Sequence, residues 1–267
     1  MKPPEQTLQA IITDDPLGAY PIGAKAEFSS TLFAMNVKDE LRELSNWNIF
    51  LGAVLALHFG DQHNQRVIGS GVLIAPGLAI TAWHILEGEL PDVLNGGGFI
   101  CSAIGDAGMM VWRPTAVARV SDSDVALISL KAASDAPALF HNAVITTRTP
   151  RLGERLIVAG FRSETFDPSA RPIPIRILAS AGAVSQQYET GRDRVMLPGP
   201  CIEVDCSTIG GMSGGPVFDE NGFLIGILSS SIDGGPSYVS LIWMALCTPV
   251  SIQWPAGLHK GRRRSCS

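Results

Sequence analysis

The sequence GGMSGGPVFDENGFLIGIL, residues 210–228, decides which folds are open to this chain. Four glycines surround Ser213, so the backbone there can adopt unusual dihedral angles and no neighbouring side chain crowds the hydroxyl. Two apolar stretches follow, separated by the turn sequence DENG at 219–222. Strand, tight turn and strand in this order predict a β-hairpin directly after the serine. The nucleophile elbow of α/β-hydrolases has the same G-x-S-x-G pattern but continues into a helix, so that architecture is excluded.

The loop around Ser213 also has a chemical interpretation. A glycine-rich loop of this kind can present a hydroxyl and aim successive N–H groups into one concavity, which is what a developing oxyanion needs. A serine hydroxyl alone is a poor nucleophile and requires a nearby base. Glycine-rich loops with a serine are also common as ordinary turns, so the loop by itself leaves both interpretations open.

A base and a carboxylate stand upstream of the serine. His84 lies where a predicted strand, residues 78–82, runs into a turn. Asp124 begins the apolar sequence DVALI and could orient an imidazole, and Asp122 is the nearby alternative. Taken singly, each would be an ordinary polar residue at a strand end. The remaining histidines have no comparable setting; they are His58, His63, His141 and His259.

Short apolar stretches, separated by glycine, proline and polar clusters, fill most of the chain and show almost no helical periodicity. We therefore predict an all-β chain with two sets of about six strands, which fit a pair of six-stranded barrels. Residues 37–47 carry the one helix-like pattern. The predicted divisions are an N-terminal extension with this short helix (1–47), a first barrel (48–130), a linker (131–153), a second barrel (154–250) and a C-terminal tail (251–267).

Three segments together resemble the signature segments of trypsin-like serine peptidases, the chymotrypsin-fold family. They are TAWH at 81–84, DVAL at 124–127 and GMSGGP at 211–216. The order His, Asp, Ser matches this family and not subtilisins or α/β-hydrolases. The flanking sequence GSGVLI at 69–74 agrees, and the resemblance covers about residues 48–250. It implies two six-stranded antiparallel β-barrels of the chymotrypsin type with the active site between them.

The resemblance assigns a role to each candidate catalytic residue. Ser213 would be the nucleophile of a serine endopeptidase that forms an acyl-enzyme, His84 its general base, and Asp124 the carboxylate that orients the imidazole. The backbone N–H groups of Gly211 and Ser213 would form the oxyanion hole. A protein or peptide is the expected substrate, and neither a cofactor nor a metal is required.

The resemblance also suggests how substrate is bound. Ser229 matches the family serine that supports the catalytic carboxylate. The strand from Ser229 through Ser230 to Ser231 would bind substrate backbone by strand addition. Ser207 would occupy the floor of the first specificity pocket. Ser231 stands at the pocket mouth, where many relatives have glycine, and its hydroxymethyl group should narrow the entrance. We therefore expect a small or medium uncharged residue on the acyl side of the cleaved bond.

Two departures from the secreted members of the family affect regulation. Met212 stands where secreted enzymes carry the acid that accepts a new N-terminus, so activation by N-terminal insertion is not expected. Ile85 follows His84 where those enzymes have a paired cysteine. Both features resemble bacterial and intracellular branches, including HtrA-like protease domains, although no PDZ-like segment follows residue 250. A regulatory partner protein is a further expectation, since such an enzyme needs restraint.

Composition narrows the environment. The five cysteines are scattered and form no C-x-x-C pair, which gives a zinc site no support and suggests free thiols in a reducing compartment. The net charge of −5 gives no general attraction to nucleic acid or anionic lipid. The longest apolar run, residues 49–57, is far short of the roughly 20 residues that span a bilayer, and no signal peptide is recognisable. We expect a soluble, cytoplasmic protein.

Two other functions remain open at this stage. The first is a catalytically inactive protein-binding module on the same fold. The second is an esterase or other acyl hydrolase that uses the same serine and histidine. Labelling by a serine-directed fluorophosphonate separates the first from an enzyme, and relative rates on an ester and a peptide amide identify the second.

Overall fold

A computed structural model of the chain describes residues 11–13, 15–16, 27–61, 63–90, 93, 97–105, 108–133, 139–169, 175–231 and 235–252. Strands dominate these residues. The strands are β1 (Ile11–Thr13), β2 (Glu27–Thr31), β3 (Arg42–Glu43), β4 (Val54–Gly60), β5 (Gln65–Ala75), β6 (Leu78–Ala82), β7 (Phe99–Gly105), β8 (Gly108–Arg119), β9 (Val125–Ala132), β10 (Leu139–Ala143), β11 (Arg155–Phe161), β12 (Thr165–Phe166), β13 (Ile177–Tyr188), β14 (Cys201–Val204), β15 (Pro216–Asp219), β16 (Leu224–Ser231), β17 (Ser237–Leu241) and β18 (Val250–Ile252). One α-helical turn, α1 (Trp83–Glu87), and two 3-10 turns, Trp47–Phe50 and Ile242–Cys247, accompany them.

The first barrel is a closed antiparallel sheet in the order β5-β4-β7-β8-β9-β6. Pairing of β5 with β6, through Val72 opposite Ile80, closes it. Its interior is filled by β-branched and leucine side chains such as Leu57 and Ile128, which are fully buried. Because apolar burial favours folding by roughly 25 cal/mol per Å², a closed interior of this kind holds β6 and β9 rigidly, and these two strands carry His84 and Asp124 at their ends.

The second barrel has the order β11-β15-β16-β17-β14-β13 and is closed by β11 against β13. The hairpin expected after Ser213 is present as β15 and β16, with Phe218 opposite Leu224. Asp219 Oδ1 accepts the N–H groups of Asn221 and Phe223, at 3.0 and 2.9 Å, which explains the tight turn chemically. The two six-stranded antiparallel barrels predicted from the sequence are confirmed.

The short helix expected within residues 37–47 is wrong. This segment is extended, and its residues 42–43 form β3, which pairs with Leu178 and Ala179 of β13. Two flanking hydrogen bonds continue the contact: Ala181 N–H donates to Lys38 O at 3.2 Å, and Leu44 N–H donates to Ile177 O at 2.9 Å. Pairing with the second barrel outweighs the modest helix propensity of the charged residues here.

The N-terminal extension pairs with the segment that joins the two barrels. β2 pairs in parallel with β10, which lies in the stretch expected as a linker. The first two residues of that stretch, 131–132, are instead the end of β9. β1 pairs in parallel with β18, and Phe33 packs its ring against Phe50 and Phe218 at centroid distances of 5.7 Å. The N-terminal extension therefore binds both barrels. Most of the predicted C-terminal tail, residues 253–267, lies outside the described residues.

Three of the four cysteines in the part of the chain that the structure describes are buried. Cys101, Cys201 and Cys206 are buried free thiols, and Cys247 is an exposed one. Burial raises the pKa of the Cys101 thiol well above its usual range, so it is a poor nucleophile. Within the same residues no His, Cys, Asp and Glu side chains cluster in a way that could hold a metal ion. No helix among them is long and apolar enough to cross a membrane.

Candidate active site between the barrels

His84 lies in the first turn of α1, directly after the buried strand β6. The backbone there is tied to the neighbouring strand, because Trp83 N–H donates to Asp124 O at 3.1 Å. The imidazole is 30 % exposed, so one face is open to solvent. A rigid strand end followed by a tight turn thus presents the ring at the surface of the first barrel.

Asp124 contacts His84 through both of its carboxylate oxygens. Its Oδ1 accepts the backbone N–H of His84 at 2.9 Å, and its Oδ2 lies 2.9 Å from the imidazole Nδ1. The carboxylate is 5 % exposed. Since an ionised carboxylate only accepts hydrogen bonds, the contact places a proton on Nδ1 and leaves the Nε2 lone pair directed away from Asp124.

Asp122, the alternative carboxylate, occupies a different position. It is exposed and sits in the turn before β9 with a left-handed φ of 52°. Its backbone oxygen packs against Gly199 of the second barrel, where a Cβ would stand only 2.4 Å away. The structure therefore brings Asp124, and not Asp122, to the imidazole.

Ser213 lies in the loop between β14 and β15, and this loop is docked on the first barrel. Ser70 N–H donates to Ser213 O at 2.8 Å. The next residue, Gly214, has a φ of 77° and is so close to the histidine segment that a Cβ would stand 2.2 Å from Thr81 Oγ1 and 2.9 Å from Ile85 Cδ1. Because Thr81 and Ile85 flank His84, the serine loop and the histidine turn meet at the barrel interface.

The hydrogen bonds among the described residues do not include one between the Ser213 hydroxyl and the His84 imidazole. Such bonds are often long or poorly aligned in enzymes without substrate and tighten only in the complex. The loop contact at Gly214 places the two residues on facing segments. Rotation about the Ser213 side-chain torsion therefore changes the distance between its hydroxyl and the His84 imidazole, which Asp124 holds in place.

The turn before Ser213 has the conformation that exposes amide groups. Met212 N–H donates to Ile209 O at 3.2 Å, and Gly211 has a φ of 92°, which matches the third residue of a type II turn. Gly210 O accepts Ser163 N–H at 2.7 Å. In a trans peptide the N–H points opposite to the C=O, so the Gly211 N–H is directed away from Ser163.

Both amides named in the sequence analysis are available to a ligand. Among the described residues the N–H groups of Gly211 and Ser213 donate to no acceptor, whereas Met212, Gly214 and Gly215 all do. Most backbone N–H groups in folded proteins have an acceptor, so two without one at the buried Gly211 and the half-buried Ser213 are an unusual arrangement. Such a pair can stabilise an anionic oxygen that is brought to the loop.

The expected substrate-binding serines are in three different environments. Ser229 is buried, and its hydroxyl lies 2.7 Å from that of Ser240, so it pairs with β17 and not with the Asp124 carboxylate as expected. A bulge in the β16–β17 pairing between Leu228 and Ser230 turns its side chain inward. Ser230 and Ser231 follow at the open end of β16, half-buried and exposed.

Ser207, expected on the pocket floor, is exposed, and its carbonyl accepts the Ser180 hydroxyl at 2.7 Å. The buried hydroxyls in this region belong instead to Thr208 and Ser237, which lie 2.9 Å apart. Ser237 Oγ donates to Cys206 O at 2.8 Å, so Thr208 is the donor in the contact between the two hydroxyls. This pair was not predicted, because nothing in the sequence indicates that β17 runs beside residue 208.

Ser70 is a further residue that was not predicted, and its hydroxyl donates to Gly211 O in the turn before Ser213. The signal was present as a serine between two glycines at 69–71, but it was used only as a strand resemblance. The structure explains the first glycine, since a Cβ at Gly69 would stand 2.5 Å from Ile85 Cδ1.

Two closed barrels, with a carboxylate-bound histidine beside a glycine-rich serine loop, have the architecture of the two-barrel serine peptidase class. The trypsin-like peptidase domain family matches residues 69–227, more than half of the chain, and the chain belongs to this family. It is therefore a trypsin-like peptidase by family, as the signature segments indicated.

Solved structures agree on the fold. The crystal structure of Deg5 is 19 % identical, with 74 % of this chain and 87 % of that chain covered and a TM-score of 0.51. The active form of the Rv3671c protease from M. tuberculosis is 14 % identical, with 74 % and 80 % covered and a TM-score of 0.51. At these identities the likeness extends to the fold alone. No curated protein matches the chain in sequence.

Proposed function

We propose that this chain is an active serine endopeptidase with Ser213 as nucleophile, His84 as general base and Asp124 as the orienting carboxylate. One arrangement carries the proposal: Asp124 holds both Nδ1 and the backbone N–H of His84, beside a serine loop with two unengaged amides. Structural ion pairs are common in proteins, but two unpaired backbone amides beside one are not, because most backbone N–H groups in folded proteins have an acceptor.

The reaction follows from these positions. The Ser213 oxygen attacks the substrate carbonyl while His84 Nε2 takes its proton, and the carbonyl oxygen becomes an anion that the Gly211 and Ser213 N–H groups accept. The C–N bond then breaks as the imidazolium gives its proton to the departing amine. Water then attacks the acyl carbon while the same imidazole takes a proton from it. The bond between the acyl carbon and the Ser213 oxygen breaks, the imidazolium returns a proton to that oxygen, and the acid is released. Asp124 keeps Nδ1 protonated and stabilises the imidazolium in both halves.

The specificity pocket is proposed to accept a small or medium uncharged residue. Its walls would include the ends of β16 and β17, and the buried groups found there are the paired hydroxyls of Thr208 and Ser237. A charged side chain would meet no opposite charge at this pair, and burying it unpaired is costly. A peptide library tests this proposal, and a strong preference for Arg or Lys would contradict it.

The free cysteine thiols are the basis for a proposal about the cellular compartment. Three free cysteines are buried in an otherwise closed structure, and disulfides are usual in secreted proteins but rare in the reducing cytosol. We propose a cytoplasmic location on this ground. Fractionation of cells that produce the protein, with immunodetection, tests it, and recovery outside the cytoplasm would contradict it.

The decisive experiment is covalent labelling followed by proteolysis. We expect a fluorophosphonate to add to Ser213 in the wild-type protein, with the adduct located by peptide mass spectrometry. Ser213→Ala should abolish labelling and reduce β-casein cleavage by at least about 10⁴-fold, since the nucleophile is lost. Ser185→Ala removes an exposed serine of β13 and is the matched control, with both readouts unchanged.

Each failure identifies a different function. Absence of labelling in correctly folded wild-type protein would contradict catalysis and favour a binding module. Labelling of Ser213 together with ester hydrolysis, but without cleavage of β-casein or peptide amides, would identify an acyl hydrolase instead.

A further inference from the structure

Ser70 lies at the point where the first barrel meets the turn before Ser213. It belongs to β5 and is 0 % exposed. Each of its polar groups is engaged. Its N–H donates to Ser213 O at 2.8 Å, its C=O accepts the Thr81 hydroxyl at 2.6 Å, and its own hydroxyl makes two further hydrogen bonds.

The Ser70 hydroxyl has a fixed direction. It accepts the N–H of Phe161 at 2.8 Å and donates its hydrogen to Gly211 O at 2.8 Å. Because Phe161 N–H can only donate, the hydroxyl hydrogen is committed to Gly211. A side chain of the first barrel therefore joins a strand end of the second barrel to the turn that presents the Gly211 and Ser213 amides.

This contact fixes one of the two peptide planes of the turn. Gly210 O is held by Ser163 N–H at 2.7 Å, which orients the Gly210–Gly211 plane. Gly211 O is held by Ser70 Oγ at 2.8 Å, which orients the Gly211–Met212 plane. Rotation of the first plane would withdraw the Gly211 N–H directly. Rotation of the second would change the backbone angles of Gly211, which has wide conformational freedom, and so distort the turn that presents this N–H.

No charged group can fix this turn from Met212, the residue before the nucleophile. Its side chain is 0 % exposed and packs in the core of the second barrel. Order in the turn must therefore come from hydrogen bonds and packing. The hydroxyl of Ser70 provides the one side-chain hydrogen bond to the backbone of residues 210–213 found among the described residues.

We propose that Ser70 is a positioning residue of the active site, whose hydroxyl holds the Gly211 C=O and so keeps the turn in the conformation that presents the Gly211 and Ser213 N–H groups to the oxyanion. It acts across the barrel interface, so the amide pair is formed only when the barrels are docked. This inference rests on the proposed function, because it concerns the transition state of that reaction. Ser70 touches no substrate and takes no part in proton transfer.

The test compares the rate of fluorophosphonate addition to Ser213 in wild type, Ser70→Ala and Ser70→Cys. The phosphoryl oxygen of this probe becomes negatively charged as Ser213 attacks and requires the same amides. We expect Ser70→Ala to lower the rate constant of addition by about 10- to 100-fold, with little change in the reversible affinity for the probe. The pH dependence of addition, which reports the His84–Asp124 pair, should stay as in wild type.

Ser129→Ala is the matched control, since Ser129 is equally buried in the first barrel and its hydroxyl accepts that of Thr115 at 2.9 Å. This variant should label at the wild-type rate. Ser70→Cys keeps the side-chain shape, with a slightly larger atom that is a much weaker donor, and decides the question if Ser70→Ala does not fold. We expect it to melt near wild type and label at least about 10-fold more slowly.

Three results would overturn the proposal. They are wild-type labelling in a folded Ser70→Ala or Ser70→Cys protein, an equal loss in Ser129→Ala, or an altered pH dependence, which would place the defect in the His84–Asp124 pair. A wild-type protein that does not label at all would refute the proposed function itself, so the two failures are distinguishable.

Discussion

Acidification should destabilise the first barrel through His58. This histidine of β4 is buried, and its Nε2 lies 2.6 Å from Ser102 Oγ. Its ring packs nearly perpendicular to that of Phe166 of β12, with the ring centroids 5.5 Å apart. Its Nδ1 is buried and finds no hydrogen-bond partner, so a proton added there would have no acceptor. Burial lowers the pKa of His58 from 6.5 to about 4.

The magnitude follows from proton linkage. The unfolded chain takes up this proton near pH 6.5, whereas the folded protein takes it up only near pH 4. Between these values the unfolded state binds more protons, so the free energy of unfolding falls as the pH falls. The contribution of neutral His58 is fully present above pH 6.5 and is lost toward pH 4. From pH 7 to 4.5 the expected loss is about 2 kcal/mol.

Urea unfolding at both pH values, followed by tryptophan fluorescence, measures this loss. All proteins should carry Ser213→Ala to prevent self-digestion. His58→Gln retains a group that can reach Ser102 but does not titrate, and it should lose about 2 kcal/mol less than its parent on acidification. His63→Gln, at an exposed histidine, is the control and should behave as the parent does. Identical pH dependence in His58→Gln and the parent would refute the reasoning.

Three further substitutions test the second barrel. Gly211→Ala should slow fluorophosphonate labelling by about 100-fold, because φ is 92° and a Cβ would stand 2.2 Å from a neighbouring backbone nitrogen. Gly210→Ala has open space to 4.0 Å and should change the rate by less than about threefold, and equal losses would contradict this account. Met212→Asp should lower the free energy of unfolding by about 3 to 5 kcal/mol, because it buries an unpaired charge. Its control is Met196→Asp, at a side chain that is 40 % exposed, which should change the free energy of unfolding by less than about 0.5 kcal/mol. Arg148→Ala should cost about 2 kcal/mol in urea unfolding, because a buried carboxylate 2.7 Å from its guanidinium loses its partner, and a wild-type midpoint would exclude that role.

The sequence was sufficient wherever one local pattern determines the structure. The DENG turn after Ser213 has a side chain that satisfies its own backbone, so the β15–β16 hairpin could be predicted without tertiary information. His84 and Asp124 could be named because TAWH and DVAL, each beside an apolar strand, stand in the order of the family's signature segments. Their direct contact is a product of the β6–β9 pairing, with Ala82 opposite Val125.

The errors arose where distant pairing determines the outcome. Residues 37–47 have charges and leucines at helical spacing, yet the free edge of β13 binds them as a strand. Ser229 was given to Asp124 by resemblance, but the bulge in β16 turns its hydroxyl to Ser240. Ser70 was overlooked because its role depends on a barrel that begins more than 80 residues later.

The parallel pairing of β1 with β18 has a consequence for synthesis. Ile11 pairs with Val250, and Thr13 donates a hydrogen bond to Ser251, 238 residues away in sequence. At translation rates of 5–20 residues per second, the first strand leaves the ribosome roughly 10 to 50 s before its partner exists. During that interval a nascent chain displays an unpaired strand edge, the kind of surface that attracts chaperones and aggregates. Both barrels can close before this last join is made.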